Sequence, residues 1–301
     1  MPFLIKMKYN IDKESEKQPM KEVTIQNEFV KAVISEQAAE VISFKRKDND
    51  LETIWCRDPA YWANCNPILF PYTGPLINNK YEYNGKTYEL GQHGFARHAV
   101  FTITEEKEDS CTLVLEYSEE TLKVYPFKFL LAVTYDLEGY RLNLHYSVVN
   151  LDSRKIPFDI GFHPAFNCPL TADKDYSDYR IEFEFEENLK GERRDGIVVP
   201  DGDSFPLDKY LVSGSFFYHD NQIKSNWAQL SDGDHIIRVG KEGFDTIGFW
   251  RKNEETPFMC IEPWTPHTDY EKVSFFRPDG VSNLLPVNET FKCSYYFELV
   301  K

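Results

Sequence analysis

The chain has 301 residues, a formal net charge of −15 at pH 7 and an aromatic content of 15%. An acidic surface repels the phosphate backbone of nucleic acids and anionic lipids, so we expect neither nucleic acid nor a membrane as a partner. A chain of this length buries roughly 75% of its unfolded surface, and it needs no disulfide or metal to fold. The aromatic content favours β-strands, because aromatic side chains suit pleated, half-buried surfaces.

Six cysteines are spread along the chain: Cys56, Cys65, Cys111, Cys168, Cys260 and Cys293. None forms a Cys-x-x-Cys pair, and none lies at zinc-finger spacing with a histidine. The apolar stretch at the first residues is too short for a signal peptide, and there is no run of about 18 apolar residues to span a membrane. We therefore expect a cytoplasmic protein whose thiols are reduced and buried.

Residues 1–21 are polar and charged and indicate a solvated tail, whereas residues 22–301 are expected to form one domain. Strand-like alternation begins at Val23, and no segment keeps helical spacing of its apolar residues for more than about two turns. Asp58 and Pro59 can start a single helical turn, as N-cap and first helical residue. The expected fold is all-β, a large antiparallel β-sandwich. Its later strands are predicted at 180–185, 235–239, 246–250, 258–261 and 291–299.

Two hairpins stand out along the chain. Asn84-Gly85 lies between two alternating aromatic runs and predicts a type I′ turn, because both residues tolerate positive φ. A second hairpin is predicted to turn at Glu138-Gly139. The strand after that turn alternates apolar and polar residues, which is typical of a strand with one face in solvent.

The segment from Gly91 to Arg97 is a compact polar cluster in which His93 stands between Gln92 and Gly94. A glycine there lets the backbone approach a ligand closely. The same sequence also fits an ordinary turn.

His163 ends an apolar run and is followed by Pro164, which biases its backbone toward an extended conformation. Phe166, close by in sequence, can offer a ring face. The alternative is a buried histidine whose ring is hydrogen-bonded to a backbone carbonyl.

Glu262 directly follows an apolar strand, where a carboxylate is costly to bury unless it has a partner or a task. Desolvation would raise its pKa toward the range of a general base. Trp264 lies beside it and can stack on a sugar ring. A glutamate at the end of a strand that faces water is the alternative.

Other features add less. His267, three residues past Trp264, can line the same site as Glu262 and Trp264. His145 is interpreted as a solvated residue on the polar face of a strand. Motifs typical of a metal site, a phosphate-binding loop or a serine nucleophile are missing from the sequence. We therefore predict no metal and no cofactor.

Together these segments resemble the aldose 1-epimerase (galactose mutarotase) family, and within it the LacX-like branch. The resemblance covers roughly residues 22–300. The landmarks follow the family's order: Asp58-Pro59-Ala60-Tyr61-Trp62, Asn66-Pro67-Ile68-Leu69-Phe70-Pro71, the Tyr-Asn-Gly-Lys-Thr-Tyr hairpin, Gln92-His93-Gly94-Phe95-Ala96-Arg97, Gly161-Phe162-His163-Pro164-Ala165-Phe166 and Cys260-Ile261-Glu262-Pro263-Trp264.

The resemblance implies a two-sheet sandwich with an open sugar cleft and no cofactor. By motif position, Glu262 would be the general base and His163 the general acid. His93 would bind near the ring oxygen, and Arg97 would bind substrate hydroxyls. A base and an acid of this kind predict a bell-shaped pH profile, with an acidic limb from Glu262 and an alkaline limb from protonated His163.

A sugar is apolar on one face and hydroxylated on its rim, which suggests further contacts. Stacking on the apolar face is expected from Trp264, Phe166 and Phe95. Hydrogen bonds to the rim are expected from Asn167, Gln92 and Arg97.

One residue departs from the family pattern. After Pro71-Tyr72-Thr73-Gly74 the family usually has a basic residue, and here Pro75 stands instead. Lys80 or Arg97 would have to replace that contact. The departure leaves two alternatives to a mutarotase of free aldohexoses: a non-catalytic carbohydrate-binding protein, and an epimerase of hexose 6-phosphates that uses Arg57, Arg97 and Lys80.

Overall fold

The computed structural model describes residues 20–187, 202–218, 223–244, 246–265 and 283–301. Nearly all of the predicted polar tail lies outside these residues, as does His267. In chain order the strands are β1 Glu22–Gln26, β2 Val30–Ser35, β3 Val41–Arg46, β4 Ile68–Leu69, β5 Lys80–Tyr83, β6 Lys86–Glu89, β7 Thr102–Glu106, β8 Ser110–Glu116, β9 Phe129–Glu138, β10 Arg141–Asn150, β11 Ile156–Phe158, β12 Gly161–Phe162, β13 Ala165–Asn167, β14 Arg180–Glu187, β15 Gly202–Pro206, β16 Gly214–Tyr218, β17 Trp227–Ser231, β18 Ile236–Glu242, β19 Thr246–Arg251, β20 Phe258–Trp264, β21 Asn283–Leu285 and β22 Thr290–Leu299.

Helix is scarce, as the sequence predicts. The described residues contain two short α-helices, α1 Glu119–Val124 and α2 Leu207–Tyr210. Ser118 begins α1 with a capping box, in which its hydroxyl accepts from the Thr121 N–H. Neither helix has the length and apolar character that a membrane span requires.

The predicted hairpins are present. Lys86 pairs with Tyr83 across Asn84-Gly85, and both turn residues have positive φ, 49° and 73°. That conformation identifies the expected type I′ geometry. In the second hairpin Arg141 pairs with Glu138, so the turn lies at Gly139-Tyr140, one residue later than predicted.

Two large sheets organise the molecule. One has nine strands in the order β15-β14-β17-β18-β22-β10-β9-β8-β7. The other has six strands in the order β16-β19-β20-β12-β4, with β13 also paired to β20. All the strand pairs in both sheets are antiparallel.

Aromatic side chains from the inner faces of the two sheets contact one another and form the core. Phe162 of β12 lies 3.9 Å from Tyr146 of β10 and 4.6 Å from Tyr295 of β22, between ring centroids. Phe166 of β13 contacts Phe297 of β22 at 5.2 Å. Because the inner faces of the two sheets pack against each other in this way, the all-β sandwich prediction is confirmed.

The cysteines are free thiols, as expected, but one of them is not buried. Cys56 is exposed and the other five are buried. Cys56 follows the buried Trp55 in an irregular segment, where no strand pairing covers it.

Candidate active site

Glu262 lies on β20, every residue of which is buried. Its partner in the β19 register is Gly248, which has no side chain to cover the carboxyl group. Glu262 is 1% exposed, and among the described residues neither carboxylate oxygen has a hydrogen-bond partner. Burial raises the pKa of Glu262 well above its ordinary value.

His163 stands in the short connection between β12 and β13, both of which pair with β20. This connection brings its Nε2 to 3.4 Å from Oε1 of Glu262. The rings of Trp62 and Trp250 lie 4.8 and 5.0 Å from the imidazole. Burial, followed by the charges of nearby groups, lowers the pKa of His163 well below its ordinary value. The alkaline limb expected from protonated His163 would require a pKa near or above neutrality, and this shift is in the opposite direction.

His93 is held by two backbone hydrogen bonds to Gly74. The Gly74 N–H donates to Nδ1 of His93 at 2.9 Å, and the His93 N–H donates to the Gly74 carbonyl at 2.9 Å. Since Nδ1 accepts, the ring hydrogen of neutral His93 is on Nε2. Burial and then the charge of Arg97 lower the pKa of His93 to about 3, so the ring is neutral near pH 7.

The amide of Gln92 faces the donor side of the same ring, with its nitrogen 3.1 Å from Nε2 of His93. Two donors cannot share a hydrogen bond, and the amide oxygen and nitrogen are nearly equivalent in shape. We therefore assign the Gln92 amide with its oxygen toward Nε2. His93 is then a neutral, fixed donor.

The backbone at His93 requires a glycine next to it. His93 and Gly94 have φ of 66° and 71°, in the left-handed region. A Cβ on Gly94 would lie 2.2 Å from the Phe70 carbonyl oxygen. That oxygen accepts hydrogen bonds from Phe95 and Ala96, so it cannot move away freely.

Arg97 follows in a 3₁₀ turn, Ala96–His98, at the edge of the site. Its Nε has no hydrogen-bond partner among the described residues. The charge of Arg97 acts on both His93 and His163 and lowers their pKa values. Arg97 also faces Glu40, whose carboxylate accepts the backbone N–H groups of Cys65 and Asn66.

Trp264 closes the site beside His93. Its ring lies 5.7 Å from the His93 ring, and its indole N–H donates to the Phe162 carbonyl at 3.2 Å. A Cβ on Gly161 would come within 2.6 Å of the Trp264 ring, so Gly161 makes room for this packing.

Three predicted sugar contacts have structural tasks instead. Phe166 has no exposed surface and packs on Phe297 in the core. Asn167 donates its amide hydrogens to the carbonyls of Glu52 and Ile54. Phe95 packs among core rings, 5.8 Å from Phe129. Strand pairing or core packing already engages each of these side chains, so we leave them out of the site that we propose.

The absence of a basic residue at Pro75 is not compensated by Lys80. Lys80 lies on β5 and pairs with Glu89 on the neighbouring strand, at 3.2 Å. Arg57 lies 3.8 Å from Glu40, on which the charge of Arg97 also acts. The three cations proposed for a phosphate therefore do not form one free cluster.

The structure adds residues that sequence reasoning missed. The rings of Trp62 and Trp250 both contact the His163 ring, and Cys260 lies close to His163. His163, Cys260 and Glu262 each offer a donor atom, and these atoms all lie within 4.8 Å of one another. Trp62 and Cys260 belong to recognised motifs, but Trp250 carried no signal except the register in which β19 pairs with β20.

Comparison with known proteins gives a consistent result. The family model "Aldose 1-epimerase" matches residues 21–205. The chromosomal protein LacX of Lactococcus lactis subsp. lactis is 31% identical over 293 residues, which cover 91% of this chain and 97% of LacX.

Solved structures resemble this one as well. A galactose mutarotase related enzyme from Lactobacillus acidophilus matches with a TM-score of 0.84 and 29% identity, over 93% of this chain and 98% of that one. A galactose mutarotase-like protein from Lactobacillus casei matches with a TM-score of 0.80 and 30% identity, over 93% of this chain and 100% of that one. The sequence, the sandwich and these relatives together establish that the chain belongs to the aldose 1-epimerase family.

Proposed function

We propose that this protein interconverts the α and β anomers of a free aldohexose, such as galactose or glucose, by acid–base ring opening. The observation that carries the proposal is the pair of buried, otherwise unsatisfied groups, Glu262 and His163, 3.4 Å apart. Their fixed neighbour His93 supports it. Titratable groups with strongly shifted pKa values in a site of this kind favour catalysis over simple packing.

Mutarotation requires a proton to leave the C1 hydroxyl and a proton to reach the ring oxygen. One proton shared by Glu262 and His163 is sufficient, because the group that donates and the group that accepts exchange roles on reclosure. Each positioned acid or base contributes about 10²–10⁴-fold to the rate. Sugar hydroxyls also supply the hydrogen-bond donors that the Glu262 carboxylate lacks, and such bonds stabilise its charged form.

The neighbouring groups serve binding. On sugar binding the Nε2–H of His93 exchanges the Gln92 amide oxygen for a sugar oxygen, and Arg97 and the released Gln92 amide bind rim hydroxyls. Trp264, beside His93, and Trp62, beside His163, bring apolar ring surface to the site. A neutral sugar suits this site better than a phosphate, because the charge of Arg97 faces the buried carboxylate of Glu40.

The direct test is anomer exchange by the purified protein. We expect it to accelerate the approach of pure α-galactose or α-glucose to anomeric equilibrium, followed by polarimetry or by NMR exchange. Hexose 6-phosphates, tested in parallel, should exchange more slowly at equal concentration. Sugar binding without any exchange would contradict the proposal. It would favour a non-catalytic sugar-binding protein, the alternative suggested by Pro75.

The pH profile tests how the pair holds its proton. Burial raises the pKa of Glu262 and lowers that of His163, so we expect the shared proton to reside on Glu262, with two protons on the pair at low pH and none at high pH. We expect a bell-shaped profile of kcat/KM. Its acidic limb comes from His163 and lies below the ordinary histidine pKa of 6.5, and its alkaline limb comes from Glu262 and lies above the ordinary glutamate pKa of 4.5. This assignment is the reverse of the one expected from the sequence.

Two variants separate the assignments. The residual activity of Glu262→Gln should lose the alkaline limb, and that of His163→Asn should lose the acidic limb. Loss of the acidic limb in Glu262→Gln would show that the carboxylate titrates on the acidic side, and would rule out the reversed order.

A further inference from the structure

We propose that His163, Cys260 and Glu262 form a binding site for Zn²⁺, and that the bound cation excludes the sugar. The site is inhibitory, and the acid–base chemistry above takes no step through a metal. Cation binding stands on the geometry of the three side chains alone, whereas exclusion of the sugar rests on the proposed function.

The positions of the donor atoms suit a small cation. Nε2 of His163 lies 3.4 Å from Oε1 of Glu262, and the Cys260 sulfur completes a set within 4.8 Å. Zinc binds nitrogen and oxygen at about 2.0–2.2 Å and sulfur at about 2.3 Å, with tetrahedral angles. Ligand atoms around zinc are therefore roughly 3.3–3.8 Å apart. The longest spacing in the observed set, at most 4.8 Å, must therefore contract by about 1 Å when the cation binds.

Strand geometry explains why the two ligands from β20 act together. Cys260 and Glu262 are two residues apart, so both side chains are on the same face of the strand. His163 reaches this face from the connection between β12 and β13, which both pair with the edge of β20 opposite β19. Two separate pieces of the backbone, β20 and the connection between β12 and β13, thus fix the ligands before any cation arrives.

The chemistry of the set selects the kind of cation. An imidazole, a thiolate and a carboxylate are typical of zinc, and three protein ligands leave a fourth position open. The thiolate and carboxylate carry two negative charges, which balance the two positive charges of the ion once the thiol proton of Cys260 and the carboxyl proton of Glu262 have both left to solvent. Mg²⁺ and Ca²⁺ prefer six or more oxygen ligands, which this set does not provide.

The burial of the ligand atoms also favours cation binding. Both oxygens of Glu262 are buried and lack hydrogen-bond partners among the described residues, as does Nδ1 of His163. An unsatisfied buried carboxylate is costly, and a bound cation removes that cost. The charge of Arg97 acts on His163 and opposes cation binding, but Glu40 faces Arg97 and offsets part of that charge.

The experiment uses Co²⁺ as a spectroscopic probe and Zn²⁺ as a competitor, with the full chain in a thiol-free buffer. We expect one Co²⁺ per chain, visible d–d absorption of tetrahedral intensity, and a sulfur-to-cobalt charge-transfer band in the near ultraviolet. Stoichiometric Zn²⁺ should abolish both signals. Cys260→Ser should abolish the charge-transfer band and weaken Zn²⁺ binding at least ~10-fold, since even indirect damage to a metal site costs that much.

Two other cysteines supply matched controls. Cys293→Ser changes a thiol that is equally buried but lies on β22, and Cys56→Ser removes the exposed thiol. Both variants should keep the band. Loss of the band in Cys56→Ser, or its persistence in Cys260→Ser, would overturn the proposed site, as would the absence of a Co²⁺ signal in the wild type.

Competition with sugar distinguishes the two proposals. If Zn²⁺ excludes the sugar, saturating galactose should raise the apparent Kd for Zn²⁺, and Zn²⁺ should inhibit anomer exchange. If the cobalt band depends on Cys260 but does not change when sugar is added, the proposed metal site is supported and its inhibitory role is wrong. Absence of exchange in the metal-free wild type would count against the proposed function alone.

Discussion

Replacing Glu262 with glutamine should lower kcat for anomer exchange by ~10²-fold or more, because a positioned acid–base group contributes about that much. Glutamine keeps the shape of the side chain but cannot take or give up the proton. Affinity for the sugar should change much less, since His93, Arg97 and the aromatic rings remain. Polarimetry gives the rate, and titration calorimetry gives the affinity.

The same substitution should stabilise the fold as the pH rises. Burial raises the pKa of Glu262 in the folded state. The protonated carboxyl group therefore contributes to stability below the unfolded-state pKa of about 4.3, and this contribution is lost as the pH rises through the folded-state pKa. Glutamine does not titrate. The free energy of unfolding of Glu262→Gln should therefore exceed that of the wild type by an amount that grows with pH above about 4.3.

Glu187 offers a matched control, because it is a buried glutamate with the opposite environment. Its carboxylate accepts hydrogen bonds from the backbone N–H groups of Lys224 and Ser225 and from the Ser225 hydroxyl. Glu187→Gln should lower the free energy of unfolding by about 1–3 kcal/mol, since a charged acceptor is lost, and should leave kcat unchanged. Near wild-type exchange by Glu262→Gln would exclude Glu262 as a catalytic group.

Gly94→Ala should lower the free energy of unfolding by about 3 kcal/mol or more. The added Cβ would lie 2.2 Å from the Phe70 carbonyl oxygen, and φ at this position is 71°. Both the overlap and the left-handed backbone are costly for alanine. The displaced turn also carries His93, so the remaining folded protein should exchange anomers more slowly. Urea unfolding measures the first effect, and polarimetry at low temperature measures the second.

Gly85→Ala measures the cost of the left-handed backbone without the overlap that an added Cβ makes at Gly94. Gly85 has nearly the same φ, 73°, but a Cβ there would meet nothing within 4 Å. The cost should therefore be limited to the left-handed conformation, roughly 1–2 kcal/mol. Exchange by Gly85→Ala should be normal, because the turn between β5 and β6 is outside the site. Equal losses of stability in the two variants would refute the collision with Phe70.

Some features of the fold and site were predictable because they depend on local chemistry. Asn84-Gly85 specifies its own turn, and alternation in β10 specifies which face is buried. Glu262 was identified because a carboxylate after an apolar run is unusual, and it lies 3.4 Å from His163, whose ring is 5.8 Å from that of His93. These signals are contained in a few neighbouring residues.

Other features depend on pairing between distant segments. Sequence proximity placed Phe166 and Asn167 beside His163, but pairing of β13 with β20 turns one into the core and engages the other with backbone carbonyls. The direction of the His163 pKa shift likewise follows from burial, to which Trp62 and Trp250 contribute from different parts of the chain. Without the register of the strands, neither outcome can be derived.

The position of β22 in the nine-stranded sheet has a consequence for biosynthesis. This strand lies between β18 and β10, yet it follows every other strand of that sheet in sequence. As the polypeptide leaves the ribosome, two blocks of this sheet with unpaired inner edges emerge before β22: β7 to β10, and β14, β15, β17 and β18. Such edges invite pairing with other chains. A nascent chain would need protection, for example by a chaperone, until β22 has been synthesised and joins the two blocks.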